Sequence, residues 1–134
     1  MDDSTLTIRL AEIIGNLPTF AWRPDGPAYT ASEIGVFYGA IPDAPDRAVG
    51  VRVYNSIDDD LLSRRVQLHI RGARRAPFSA DRLAGVLFAV LHERVRGDGI
   101  ASIRRTSSAP LGADGNGREE RTENYLVVLD NLEA

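Results

Sequence analysis

Arg65-Val66-Gln67-Leu68-His69-Ile70-Arg71-Gly72 is the stretch that decides the fold, because apolar Val66, Leu68 and Ile70 alternate strictly with Arg65, Gln67, His69 and Arg71. Side chains along a strand point alternately to its two faces, so a period of two defines a strand with one dry face and one wet face. The wet face needs water, a charged partner or another subunit, since burying four polar side chains unpaired is costly. Toward the N-terminus, Val49, Val51 and Val53 repeat the pattern through about residue 55. Ile34, Val36 and Tyr38 alternate with Gly35, Phe37 and Gly39 before a Pro42–Pro45 loop. Both segments read as strands. Residues 17–32 hold Pro18, Pro24, Gly26 and Pro27, which excludes a continuous helix or a central strand. The expectation there is an extended connection anchored by Trp22 and Tyr29. Before it, Leu6, Leu10, Ile13 and Ile14 share one face of a helix over about residues 4–15, capped by Ser4 or Asp3 and stopped at Gly15-Asn16.

Toward the C-terminus, Ser79 or Ala80-Asp81 opens a second helix reaching about Arg94, whose Leu83, Val86, Leu87, Val90 and Leu91 form a stripe wide enough to cover a sheet. Gly97-Asp98-Gly99 then turns the chain into a strand over about residues 100–107, and Glu123–Asp130 reads as the last strand. Pro110-Leu111-Gly112-Ala113-Asp114-Gly115-Asn116-Gly117-Arg118 is dense in turn formers, and the expectation for it is a mobile loop or a flexible β-arm. The order is α-β-β-β-α-β-β, an α+β fold with a mainly antiparallel or mixed sheet packed with two helices. No internal repeat is present.

A length of 134 residues suits one domain, residues 1–134, and 43% hydrophobic with 26% charged residues excludes wholesale disorder. The absence of cysteine excludes a disulfide framework, a thiolate metal site and a cysteine nucleophile. No apolar run is long enough to cross a bilayer, and Met1 is followed by Asp2 and Asp3 rather than a basic leader. The chain reads as soluble, without a membrane partner. All sixteen basic residues are arginine. Their distribution is uneven: residues 1–61 carry four against ten acids, residues 62–105 carry ten against three, and residues 106–134 carry two against six. Such a split fits internal ion pairing, attraction between subunits or a basic face toward a polyanion.

Catalytic constellations are missing. His69 lies on a polar strand face and His92 on the second helix, with no HExxH, and Ser107-Ser108 lacks a GxSxG elbow. Asp58-Asp59-Asp60 reads as a solvated turn rather than a cation site. Asp114, Asn116 and Glu120 imitate the start of a calcium loop, but Glu119 and Tyr125 stand at its sixth and twelfth places, and Gly112, Gly115 and Gly117 lack a phosphate-binding lysine. The expectation is no metal, no cofactor and no enzyme activity. Arg64, Arg65, Arg71, Arg74 and Arg75 form the densest cationic cluster, with Arg104-Arg105 nearby if their strands are neighbours. Phe78 is the one aromatic close to it, so a small DNA-associated module is a weaker alternative.

The acidic turn Asp58–Leu61, the Arg65–Gly72 strand, the helix ending Leu87-Phe88-Ala89-Val90-Leu91-His92, the Pro110–Arg118 passage and Thr122-Glu123-Asn124-Tyr125 follow in an order that resembles the tail terminator family of long-tailed bacteriophages. Members are often labelled minor capsid or tail completion proteins. The resemblance spans about residues 50–130. It implies a structural virion protein, at the head-proximal end of the tail and assembled in the host cytoplasm, that forms a ring, typically a hexamer, on the tail tube. Such a ring stops tube polymerisation and offers a docking surface to the head-completion or connector protein, while double-stranded DNA passes through its lumen without specific binding. A head-tail connector or neck protein is the alternative. A closed ring needs two unlike patches per subunit. The expected seam therefore pairs Arg65, Arg71, Arg74 and Arg75 with Asp58, Asp59 and Asp60 of a neighbour, and Asp114, Asn116 and Arg118 contact tube or connector. On this reading, Glu in place of Arg71 and Arg74 leaves the subunit folded and abolishes the ring.

Overall fold

The computed structural model describes residues 1–130. Its first helix, α1 (Asp3–Gly15), begins where the Asp2 carboxylate accepts hydrogen bonds from the Thr5 amide at 2.7 Å and the Ser4 hydroxyl at 2.8 Å. These bonds, the Thr5 amide first, hold the Asp2 carboxyl down at about 2. The cap is thus one residue earlier than Asp3. A Cβ on Gly15 would lie 2.5 Å from the Trp22 Cβ, so glycine here permits the close approach of the helix to the next strand.

That strand is the one element absent from the expected order. β1 (Phe20–Trp22) sits between Pro18 and Pro24 and pairs in parallel with β2 (Ile34–Tyr38), which pairs in parallel with β3 (Ala48–Asp58). A three-residue edge strand escapes a period-two reading, and the flanking prolines are tolerated because it lies at the border of the sheet. Beyond Trp22, the Tyr29 hydroxyl continues the border by accepting from the Arg23 amide and donating to the Val36 carbonyl, both at 3.0 Å. Tyr29 is therefore an anchor, as expected.

β4 (Leu62–Arg74) returns antiparallel to β3, so the aspartate run forms the end of β3 and the hairpin turn. α2 (Ser79–Leu91) follows. It stops short of Arg94 because His92 turns extended, its Nδ1 accepts from the Arg105 amide at 3.0 Å, and the Glu93 amide donates to the Ile103 carbonyl at 2.7 Å. A Cβ on Gly72 would come within 2.6 Å of the Ala80 nitrogen, which explains a glycine where α2 crosses β4. β5 (Ile100–Ala113) and β6 (Arg118–Leu129) complete a six-stranded mixed sheet in the order β1-β2-β3-β4-β6-β5. The fold is α+β, with α-β-β-β-β-α-β-β as its element order.

The Pro110–Arg118 passage is mostly strand rather than loop. Gly112, at φ 87°, follows a register shift at Pro110, and Gly117, at φ 72°, closes the turn after Asp114. Pro110 lies on the border strand, where a missing amide is tolerated.

Both helices cover the same sheet face. Leu6, Leu10 and Ile14 of α1 and Leu83, Leu87 and Leu91 of α2 share one apolar cluster with Val49, Val51, Val66, Leu68, Ile70, Tyr125 and Val127. Burying each large aliphatic side chain contributes about 1.5–3 kcal/mol, so the helices are held chiefly by this layer. Tyr125 brings its hydroxyl into the layer without a hydrogen-bonding partner among the described residues, and burial pushes its pKa up to about 12. Removing that hydroxyl by Tyr125→Phe is expected to leave stability unchanged or to raise it by up to about 1 kcal/mol in urea melts. A loss above about 1 kcal/mol would show that the hydroxyl has a partner.

Candidate assembly interface

The opposite sheet face carries no helix. Register places its side chains in transverse rows: Asn55, Arg65, Leu126 and Arg104 form one, and Arg52, Gln67, Asn124 and Ser107 the next. The second row is joined by Gln67 Nε2 donating to Asn124 Oδ1 at 3.1 Å and Asn124 Nδ2 donating to Ser107 Oγ at 2.9 Å. From the following row His69, opposite Thr122, reaches diagonally to Glu120, Nε2 to Oε1, at 2.5 Å. Arg52, Arg65 and Arg104 have no ion pair or side-chain hydrogen bond among the described residues. The bare face is therefore cationic, its one carboxylate engaged by His69.

One end of this face is covered by the β2–β3 connection. A Cβ on Gly50 would lie 2.1 Å from the Gly39 carbonyl oxygen, so the connection rests directly on β3. Arg71 holds it down. Its Nε donates to the Asp46 carbonyl at 2.8 Å, and its Nη2 donates to the carbonyls of Pro42, Asp43 and Pro45 at 2.7, 3.3 and 2.8 Å. Arg71 is 4% exposed, and burial, helped by the nearby Arg118 charge, pulls its pKa below the ordinary guanidinium range. Arg118, 2% exposed, binds Asp43, Asp46 and Asp114 at 2.9, 3.2 and 2.8 Å, and Arg74 Nε reaches Asp46 at 3.0 Å.

These contacts correct the sequence-derived site. Arg71 and Arg118 are internal clasps and present no charge to a neighbour, Asp114 is engaged by Arg118, and the Asp114–Arg118 turn is pinned to the body. An Arg71→Glu exchange would break the subunit instead of leaving it folded. Arg74 is half exposed and half engaged through Asp46. Asp58 binds Arg64 Nη1 at 2.7 Å, while Arg64 Nε holds Asp3 of α1 at 2.9 Å. Asp59, Asp60, Arg75 and Asn116 remain exposed, and no side-chain partner is found for them among the described residues. Arg65 is half-buried on the bare face with its charge unpaired.

Arg52 was missed from sequence because it lies apart in the chain, while Arg104, expected near the cluster only if its strand were a neighbour, is brought into the row of Arg65 by the sheet order, across Leu126. Glu123, 0% exposed beneath α2, was missed as well. It binds Arg105 Nη1 at 3.0 Å and Arg121 Nε at 3.1 Å, and Arg121 continues to Asp81 at 2.6 Å. Among the described residues no group of three or more His, Asp or Glu is placed to hold a metal ion, and no helix is long and apolar enough to cross a membrane.

Several carboxylates are held below their ordinary range. The Arg23 guanidinium, 2.6 Å from Glu33, with the Thr30 amide, holds Glu33 at about 2; Arg74 lowers Asp46; the Arg118 amide lowers Asp114. Each binds its proton more weakly in the folded chain than in the unfolded one. Their stabilisation is complete above about pH 4.5 and is lost as the pH falls toward 2. Urea midpoints are expected to be flat from pH 7 to 5 and to drop steeply below pH 4; a flat profile to pH 2.5 would remove these pairs from the stability of the fold.

A helix-backed mixed sheet with one bare, cationic face and an exposed acidic turn defines the class: a small α+β protein with one sheet face uncovered. A family model described as “Bacteriophage tail terminator protein” matches residues 13–131, and the chain belongs to that family. It is accordingly a structural protein of the phage tail and a virion component. The match takes in the end of α1 and β1, ahead of the region on which the sequence resemblance rests. A solved chain described as “Virion of native gene transfer agent (GTA) particle” shares the fold, with a TM-score of 0.51 at 12% identity over 95% of this chain and 91% of that one. No curated protein matches.

Proposed function

We propose that this chain caps the tail tube: copies assemble as a ring, six in number, on the last ring of tube subunits, halt polymerisation and present a surface to the head-completion or connector protein. The reading assigns it no catalytic step, places it at the head-proximal end of the tail after assembly in the host cytoplasm, and lets double-stranded DNA pass through the lumen without specific binding. The observation that carries it is the one-sided sheet. A ring needs heterologous contacts between unlike patches, and a cap needs two unlike faces, one that binds tube and one that does not. A subunit with helices on one side, bare strands on the other and free charges of opposite sign at separate places supports both requirements. Asn116, at the exposed tip of the β5–β6 turn, is the remaining candidate from that turn for contact with tube or connector.

Electron microscopy of the tube protein polymerised with and without this chain tests the reading. A density at one tube end only, together with shorter and more uniform tubes, is the expected result. Tubes of unchanged length with bare ends would overturn it, and stable binding to portal assemblies in place of tube would assign the chain to the neck.

A further inference from the structure

We propose that the bare sheet face of one copy receives the β3–β4 turn of the next, with Arg52, Arg65 and Arg104 facing Asp59 and Asp60. The inference rests on the ring reading and names the two patches that close it. Arg65 and Arg104 flank Leu126 in one row and Arg52 stands in the adjacent row, so three unpaired cations span β3 to β5, about 14 Å across. Within a subunit they have no carboxylate to meet: Glu120 is held by His69, and Asp58 and Asp3 are held by Arg64 on the helix side.

The turn is the complement. Asp59 and Asp60 carry free charge, and Leu61 and Ile57 beside them are 59% and 47% exposed. The receiving face supplies apolar surface next to its arginines, because Leu126 and Val128 stand on the same side of β6. Opposite charges would then set register while Leu61 covers Leu126, a pairing of attraction with apolar burial that fixes one orientation and disfavours others. Turn and face are distinct patches, the turn beyond the sheet end and the Arg65 row three residues further into β4, so each copy donates one and receives one. That arrangement is heterologous, the kind of contact that a closed ring of identical copies requires.

Charge reversal in combination separates this contact from a merely folded or unfolded subunit. Two variants are needed, Asp59→Arg with Asp60→Arg in the turn, and Arg65→Glu with Arg104→Glu on the face, each verified as folded by circular dichroism. Each alone is expected to weaken ring formation on tube, read by electron microscopy and native mass spectrometry, by about tenfold or more at low salt. The chain carrying all four changes, or an equimolar mixture of the two variants, is expected to regain rings, because reversed turn then meets reversed face. Rings that survive either double change, or are not regained in combination, overturn the assignment while leaving the cap intact. A wild-type chain that forms no ring on tube overturns the ring reading itself.

Discussion

Arg71→Ala is expected to destabilise the subunit by about 3–5 kcal/mol, the cost of removing a buried, fully engaged charged donor from a cluster of backbone carbonyls. The carbonyls of Pro42, Pro45 and Asp46 lose their Arg71 donor together, while the Asp43 carbonyl keeps Arg118 Nη1 at 2.7 Å. Without it the β2–β3 connection is held only through Asp43 and Asp46, by Arg118 and Arg74, and the Gly39–Gly50 contact loosens. Part of the cost is returned because Arg118 no longer faces a like charge. Arg71→Lys should fall between, since an ammonium cannot donate from two positions of a rigid fork. A fall in melting temperature of about 10–20 °C measured by calorimetry is the expected size for a chain this long. Arg75→Ala, at an exposed side chain with no partner among the described residues, serves as the control and should stay within about 0.5 kcal/mol. Equal, small effects at both positions would show that Arg71 clasps nothing.

The contrast between Arg65 and Arg71 shows where sequence reading stops. Both sit on the wet face of one strand, six residues apart, and alternation treats them alike. What separates them is a connection arriving from another part of the chain, which covers one and leaves the other bare. The sequence did hold a sign of it: Gly50 interrupts Val49 and Val51, and a glycine inside a strand marks a close backbone approach. The strands with strong alternation, both helices and the class of fold were legible because each rests on local periodicity. β1 was not, since three residues carry no period and its parallel partner lies eleven residues on. The charge split was legible as a total only. Its largest components, Arg64 with Asp3 and Asp58, and Arg118 with Asp43, Asp46 and Asp114, turn out to be internal. The free remainder, Arg52, Arg65 and Arg104 against Asp59 and Asp60, emerges only after that subtraction.

Glu123→Ala is expected to cost a similar 3–5 kcal/mol, by a different route and on the other side of the sheet. The carboxylate is fully buried between β6 and α2, and truncation leaves two guanidiniums unequal in their prospects. Arg121 keeps Asp81 at 2.6 Å, whereas Arg105 keeps only the face of the Phe88 ring, 4.2 Å from its Cζ. The charge left uncompensated is therefore mainly that of Arg105, which is one-third exposed and can turn toward water. For this reason a double change, Glu123→Ala with Arg105→Ala, should cost less than the two single changes added together, by about 1–3 kcal/mol in a thermodynamic cycle. Additive losses would mean that the carboxylate is held by Arg121 alone. Because Glu123 points away from the bare face, its loss lowers melting temperature without touching the proposed seam. At temperatures where the variant is still folded it should assemble on tube like the wild type, and a ring defect there would place the seam on the helix side of the sheet.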